Sequence, residues 1–169
     1  ARDGSYEGAS RAARIVGRTL SRALAAGERV SDAVLGYRVG VFCNARTGSS
    51  RLPEKAHLPF HAEYSTVAYL LKRLTSYPGD IGQVVFATTV LDEDDALEAV
   101  ANQIGVPVVR GPVLDVMGRM VQAAGEHGWD TLVRVTGDDQ LVSCEYAERA
   151  IRHHLENSLD FTRVEGLPV

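Results

Sequence analysis

Arg38–Lys55 reads RVGVFCNARTGSSRLPEK. Its first seven residues form a short apolar run. The rest turns abruptly to small, hydroxyl-bearing and cationic residues. A run of this length, ended by a Gly/Ser-rich stretch, predicts a buried β-strand feeding directly into a loop. The same alternation repeats downstream. Further strands are expected at Gln83–Thr88, Val106–Val109, Thr131–Val135 and Asp160–Val164. Amphipathic helices are expected at about His61–Ser76, Asp92–Ile104, Val113–His127 and Cys144–Asn157. Tyr77-Pro78-Gly79, Gly105, Gly128 and Gly137 mark the joins. Strand–helix alternation at this spacing predicts an α/β fold, a Rossmann-like, mostly parallel sheet with helices on both faces. Ligands of such sheets bind beyond the carboxyl ends of the strands. The loops after the first, second and fourth strands are therefore where chemistry is expected.

Upstream of this region the pattern differs. Ser10 to Gly27 reads as a helix, with Ser10 able to cap it and Gly27 able to end it. Ile15, Val16, Leu20, Ala23 and Leu24 form its apolar stripe. Residues 1–37 are thus expected to be an N-terminal helical extension or a linker from an upstream domain, and 38–169 the α/β domain. The sequence given opens at Ala1 without Met, which fits a piece of a longer protein.

Composition narrows the function. The 169 residues are 45% hydrophobic and 24% charged, which fits one globular domain and excludes a disordered or collagen-like chain. No apolar run approaches the roughly 20 residues that span a bilayer, and no leader pattern opens the sequence; a cytoplasmic protein with no membrane partner is expected. The net charge of -4 argues against a nucleic-acid partner. Cys43 and Cys144 match no metal or redox spacing and are expected to be reduced and packed.

The loop Asn44–Lys55 carries the chemistry. Gly48, Ser49 and Ser50 permit a tight turn that presents N–H groups to an anion. Arg46, Arg51 and Lys55 can neutralise several phosphate charges. A polyphosphate is the ligand this combination suits, against the plainer alternative of a solvated basic loop. Neither GxxxxGK[ST] nor GxGxxG is present. Asp138 follows the fourth strand at a Gly turn, where a carboxylate suits Mg²⁺ or simply caps a helix. No histidine pair has zinc-site spacing. His57 and His61 are separated by Pro59, and each histidine is read as a surface residue. Asp92, Glu93, Asp94 and Asp95 read as an acidic helix start, and Ser143 as an N-cap.

ARTGSSRLPEK (residues 45–55) resembles the A-R-x-G-S-[ST]-R-L-P-x-K signature of cytidylyltransferases of the spore-coat-polysaccharide and acylneuraminate type. Four later blocks are similar in order and spacing: VFATT (85–89) with DDAL (94–97), GVPVVRG (105–111), DVMGRM (115–120) and RVTGDDQL (134–141). The loop departs from the family at Glu54, where Gly is usual, and after Asp138, at Asp139 and Gln140. The family also normally continues into a second half.

The resemblance implies a nucleotide-diphospho-sugar transferase-like fold and transfer of CMP from CTP, with Mg²⁺ as cofactor. It implies Arg51, Lys55 and Asp138 as catalytic residues, with Asp138 and Asp139 at the metal. It places Asn44, Ala45, Arg46, Thr47, Gly48, Ser49, Ser50, Thr88, Thr89 and Arg110 around the nucleotide. Arg119, Arg134 and Arg163 are candidate cations for an acidic acceptor. The short length suits a small acceptor such as 2-hydroxyethylphosphonate. Size and order also resemble the cytidylyltransferase domains fused to a phosphoenolpyruvate phosphomutase in antibiotic biosynthesis. The alternatives are a CMP-sugar-acid synthetase for a surface polysaccharide and a non-catalytic nucleotide-binding or assembly module. A homo-oligomer is compatible with either. A glycosyltransferase would need an Asp-x-Asp at a strand end, which the sequence lacks.

Overall fold

Four parallel strands make the central sheet: β1 (Val39–Asn44), β4 (Gln83–Thr89), β5 (Val108–Gly111) and β6 (Thr131–Thr136). The computed structural model describes residues 37–48, 52 and 54–165. The expected helix at Ser10–Gly27 lies outside them. The strand order is β5-β4-β1-β6. The chain steps outward from β1 to β4 to β5, then crosses back to place β6 on the other side of β1. The order therefore reverses between β1 and β6, and the carboxyl ends of those two strands flank the switch point where such sheets bind ligands.

β1 is apolar along its length because both faces are covered. Val39, Val41 and Cys43 join a core with α1 (Thr66–Thr75), α2 (Asp95–Ile104) and α4 (Cys144–Glu156) through Leu70, Leu71, Leu97, Ala101, Ile151 and Leu155. Phe42 on the opposite face packs with Val85, Val109, Ala123 and Trp129 under α3 (Val116–His127). A Cβ at Gly40 would overlap the Trp129 ring, so this glycine lets the indole lie flat on β1. Both cysteines are free and buried. Burial pushes the Cys43 thiol up to about 12, helped by the charge of Asp139.

Two expected elements differ in kind, and β5 runs two residues later than the expected Val106–Val109. The helix expected from His61 begins at Thr66, where the Ser65 hydroxyl caps it by accepting from the Ala68 amide at 3.3 Å. Pro59–His61 (β2) and Tyr64–Ser65 (β3) form a small antiparallel hairpin instead. Ala62 at its turn has φ 49°, outside helical space. Asp160–Val164 forms no strand. Its β-favouring residues have no paired neighbour, and Thr162 is held to His154 Nδ1 at 3.0 Å.

The outer side of β6 has no strand beside it among the described residues. α3, α4 and residues 160–164 border that edge and enclose an open, largely apolar groove of about 1190 Å³.

Candidate active site

The site assembles where the loops after β1 and β6 meet. The β1 loop leaves the sheet at Asn44. There the Asn44 carbonyl accepts from the Gly137 amide at 2.8 Å, which stitches the two loops together. A Cβ on Gly137 would sit 2.5 Å from the Ala45 Cβ, so only glycine allows this approach. Beyond it, Lys55 Nζ donates to Asp138 Oδ2 at 2.6 Å. The Lys55 ammonium holds the Asp138 carboxyl below its ordinary range against a smaller burial effect. Both side chains remain partly open to solvent, at 34% and 50%.

One helix positions both partners. At its start, Thr66 donates its hydroxyl to the Lys55 carbonyl at 2.6 Å. In its last turn, Arg73 donates to the Gln140 carbonyl. The turn after β6 is closed by Asp139 N to Thr136 O at 3.0 Å and by Gln140 Nε2 to Gly137 O at 2.8 Å. Asp139 faces back, its carboxylate accepting from the Thr136 hydroxyl at 2.9 Å.

The neck of the loop is a second cluster. Glu54 N donates to Thr47 O at 3.3 Å, closing residues 47–54. Thr47 N donates to Asp94 Oδ1 at 2.7 Å, its hydroxyl donates to Glu93 O at 3.0 Å, and His57 Nε2 lies 3.0 Å from that hydroxyl. Asp94 is fully buried and also accepts from the amide and hydroxyl of Thr89. The acidic run is thus more than a helix start, and His57 is more than a surface histidine. Asp94 and His57 carry no motif spacing with Thr47, so sequence alone could not pair them. Ser143 does cap α4, accepting from the Tyr146 amide at 3.3 Å.

The remaining candidates fall in different places. Ser49, Ser50 and Arg51 lie outside the described residues. Asn44, Ala45, Arg46, Thr47 and Gly48 line the start of the loop, with Arg46 and Gly48 exposed. Thr88 and Thr89 are fully buried and, as folded, present no surface to a nucleotide. Arg110 is committed to Asp95 and Glu98, each at 2.6 Å, and to the carbonyls of Thr89 and Leu91. These three residues brace the end of β4. Arg119 is 2% exposed and donates to the carbonyls of Pro112 and Val113. Burial, then the nearby Arg46 charge, lowers its pKa. It is not the exposed cation expected from the sequence. Arg134 and Arg163 both border the groove beside β6, and Arg163 pairs with Glu165 at 3.0 Å.

Three buried side-chain atoms lack a hydrogen-bond partner among the described residues: Asn44 Oδ1, Thr88 Oγ1 and Arg119 Nε. Asn44 and Thr88 stand at the carboxyl ends of β1 and β4. An unsatisfied buried group costs about 1–3 kcal/mol, and native proteins concentrate such costs at functional sites.

Among the described residues, no group of three or more His, Cys, Asp or Glu could hold a metal ion. A zinc-type site would require such a set. Mg²⁺ takes one or two carboxylates and completes its shell with phosphate oxygens and water. Asp138, its side chain half open to solvent, fits that demand.

A parallel sheet whose switch point carries a cationic loop facing a carboxylate defines an α/β domain with a ligand site at the carboxyl ends of its strands. The chain belongs to the cytidylyltransferase family, whose model matches residues 41–167. It is 33% identical over 123 residues to the uncharacterized protein MJ1063 of Methanocaldococcus jannaschii, covering 73% of this chain and 50% of that one. It is 29% identical over 127 residues to the spore coat polysaccharide biosynthesis protein SpsF of Bacillus subtilis, covering 74% and 53%. Among solved structures, a cytidylyltransferase from Leptospira borgpetersenii serovar Hardjo-bovis (strain JB197) superposes with TM-score 0.67 at 35% identity, over 72% of this chain and 50% of that one. CMP:2-keto-3-deoxy-manno-octonic acid synthetase complexed with CTP shares the fold, with TM-score 0.61 at 20% identity, over 72% and 48%. The chain spans about half the length of these relatives.

Proposed function

We propose that this chain is a CTP-dependent nucleotidyltransferase that transfers CMP to a small acidic acceptor and releases pyrophosphate. The observation that carries the reading is the Lys55–Asp138 pair, which joins the loops after β1 and β6 across the switch point. Transfer forms a bond from an acceptor oxygen to the α-phosphorus and breaks its bond to the bridging oxygen of pyrophosphate. Such a step needs positioning and charge neutralisation rather than a covalent residue. In this reading Arg46, Arg51 and Lys55 lie along the triphosphate and stabilise charge that grows on the leaving group. Asp138 would hold Mg²⁺, whereas Asp139 would first have to release the Thr136 hydroxyl to join it. The bound ion would add positive charge at the phosphates. Lys55 would then leave Asp138 and donate to a phosphate oxygen of the nucleotide.

For the acceptor we favour a phosphonate such as 2-hydroxyethylphosphonate, as in fosfomycin biosynthesis, with this domain fused to a phosphoenolpyruvate phosphomutase. Support comes from Arg134 and Arg163, two cations beside the β6 edge. The second reading is a CMP-sugar-acid synthetase, favoured by similarity to SpsF. The test incubates the protein with CTP, Mg²⁺ and either 2-hydroxyethylphosphonate or a nine-carbon sugar acid. Phosphorus NMR then distinguishes a phosphonate–phosphate anhydride from a CMP-sugar. Anhydride in the first mixture supports the phosphonate. A CMP-sugar alone replaces it with the sugar acid, and no pyrophosphate in either leaves a binding module.

A further inference from the structure

We infer that Asp94 is a positioning residue, a buried carboxylate clasp that fixes the phosphate-binding loop to the end of β4 without touching the nucleotide. Asp94 exposes none of its surface and has no ion-pair partner among the described residues. A buried carboxylate is costly unless donors compensate it. Here Oδ1 takes the Thr47 amide at 2.7 Å, and Oδ2 takes the Thr89 amide at 3.2 Å together with the Thr89 hydroxyl. The Thr89 hydroxyl in turn accepts from the Leu91 amide at 3.3 Å. One carboxylate therefore ties β4 to the β1 loop at a sequence separation of 47 residues.

The anchor point determines what the clasp controls. Thr47 directly follows Arg46, and its carbonyl accepts from Glu54, the residue before Lys55. Fixing Thr47 thus fixes both ends of the loop at once, with one phosphate-directed cation beside each end. The charged form is the one that fits. A carboxylate accepts at both oxygens, and every group around it here is a donor. An Asn side chain has one acceptor and one NH₂, so its NH₂ must face either Thr47 N–H or the Thr89 donors. One of the two anchors is lost while the side-chain volume is kept.

The test compares wild type with Asp94→Asn, Thr89→Val and Thr89→Ser. Hydrogen exchange is followed at the Thr47 amide and at strand amides of β1. Calorimetry measures binding of CTP with Mg²⁺, and that arm rests on the nucleotidyltransferase reading. Asp94→Asn is expected to fold, to speed Thr47 exchange about tenfold, and to weaken CTP binding by a similar factor, the size of one lost hydrogen bond. β1 exchange should not change. Thr89→Val should show the same pattern more weakly, and Thr89→Ser, which restores the hydroxyl, should return to wild type. Unchanged Thr47 exchange in a folded Asp94→Asn protein overturns the clasp. So does faster exchange spread evenly over Thr47 and β1, which is the mark of a general packing role. If Asp94→Asn does not fold, the two Thr89 variants decide by the same criteria. If wild type binds no CTP, the nucleotide reading fails, while the exchange comparison still decides the clasp.

Discussion

Lys55 Nζ and Asp138 Oδ2 lie 2.6 Å apart and join two loops whose strands, β1 and β6, are neighbours across the point where the strand order reverses. With both side chains partly solvated, such a pair contributes no more than about 1 kcal/mol to folding. The same ammonium directed at a triphosphate makes a charge-assisted bond worth roughly 1.5–3 kcal/mol. Function, not stability, is therefore where the lysine matters. Lys55→Ala should leave the melting temperature nearly unchanged and weaken CTP binding about ten- to a hundredfold, as read by calorimetry.

Asp138→Asn isolates the other partner. The amide can still accept from Lys55, so the loop junction persists. The negative charge that would hold Mg²⁺ is gone. Pyrophosphate release at saturating CTP should fall at least a hundredfold, and raising Mg²⁺ should recover part of it. Normal turnover in this variant would show that Asp138 is not the metal ligand.

Gly137→Ala tests the junction itself. The new Cβ would meet the Ala45 Cβ at 2.5 Å and the Asn44 carbonyl at 3.0 Å. Overpacking of this kind costs typically 1–3 kcal/mol. Denaturant titration should show that loss, with CTP binding weakened as well, because Ala45 leads directly into the cationic loop.

The sheet was legible because its two central strands, β1 and β4, are apolar runs covered on both faces, a pattern that survives without tertiary information. Gln83–Thr89 and Thr131–Thr136 each extend one residue past the expected end. The hairpin at Pro59–Ser65 was not legible, because its hydrophobic spacing mimics the start of a helix and only the Ser65 cap decides the boundary. The Asp160–Val164 expectation failed because strand propensity needs a paired neighbour, which this segment lacks. Within the site, Lys55 and Asp138 were readable as separate chemistry-bearing residues. Their contact depends on the crossover that brings β6 beside β1. Asp94 was hidden by its acidic neighbours Asp92, Glu93 and Asp95, since only the fold sends one of the four inward.

Acid should act through that inward carboxylate. Burial raises the Asp94 pKa, but the bonds from Thr89 and Thr47 outweigh burial and leave it below the ordinary value. A carboxyl depressed in the folded state adds stability above its unfolded pKa of about 3.9 and loses it as pH falls through the lower folded value. Wild type should therefore lose stability on going below about pH 4. In Asp94→Asn the same acid limb should be shallower, as measured by urea midpoints across that range. Equal slopes in the two proteins would remove Asp94 from the acid response.

Glu54 supplies the last prediction. It adopts φ 56°, ψ 17°, the left-handed region that favours glycine. A side chain there costs roughly 1–2 kcal/mol relative to glycine. The loop thus holds a conformation that its own residue disfavours. The hydrogen bonds at either side explain how: Glu54 N is held by Thr47 O, and the Glu54 carbonyl accepts from His57 N at 2.8 Å. Glu54→Gly removes the strain, but it also gives the unfolded chain more freedom, which offsets about 0.4–1 kcal/mol. Thermal unfolding should therefore show a stability equal to wild type or up to about 1 kcal/mol higher, with CTP binding retained. Glu54→Val places a β-branched residue in the same backbone region and should lose both stability and CTP affinity. Equal behaviour of the Gly and Val variants would show that the loop does not use the left-handed turn when nucleotide binds.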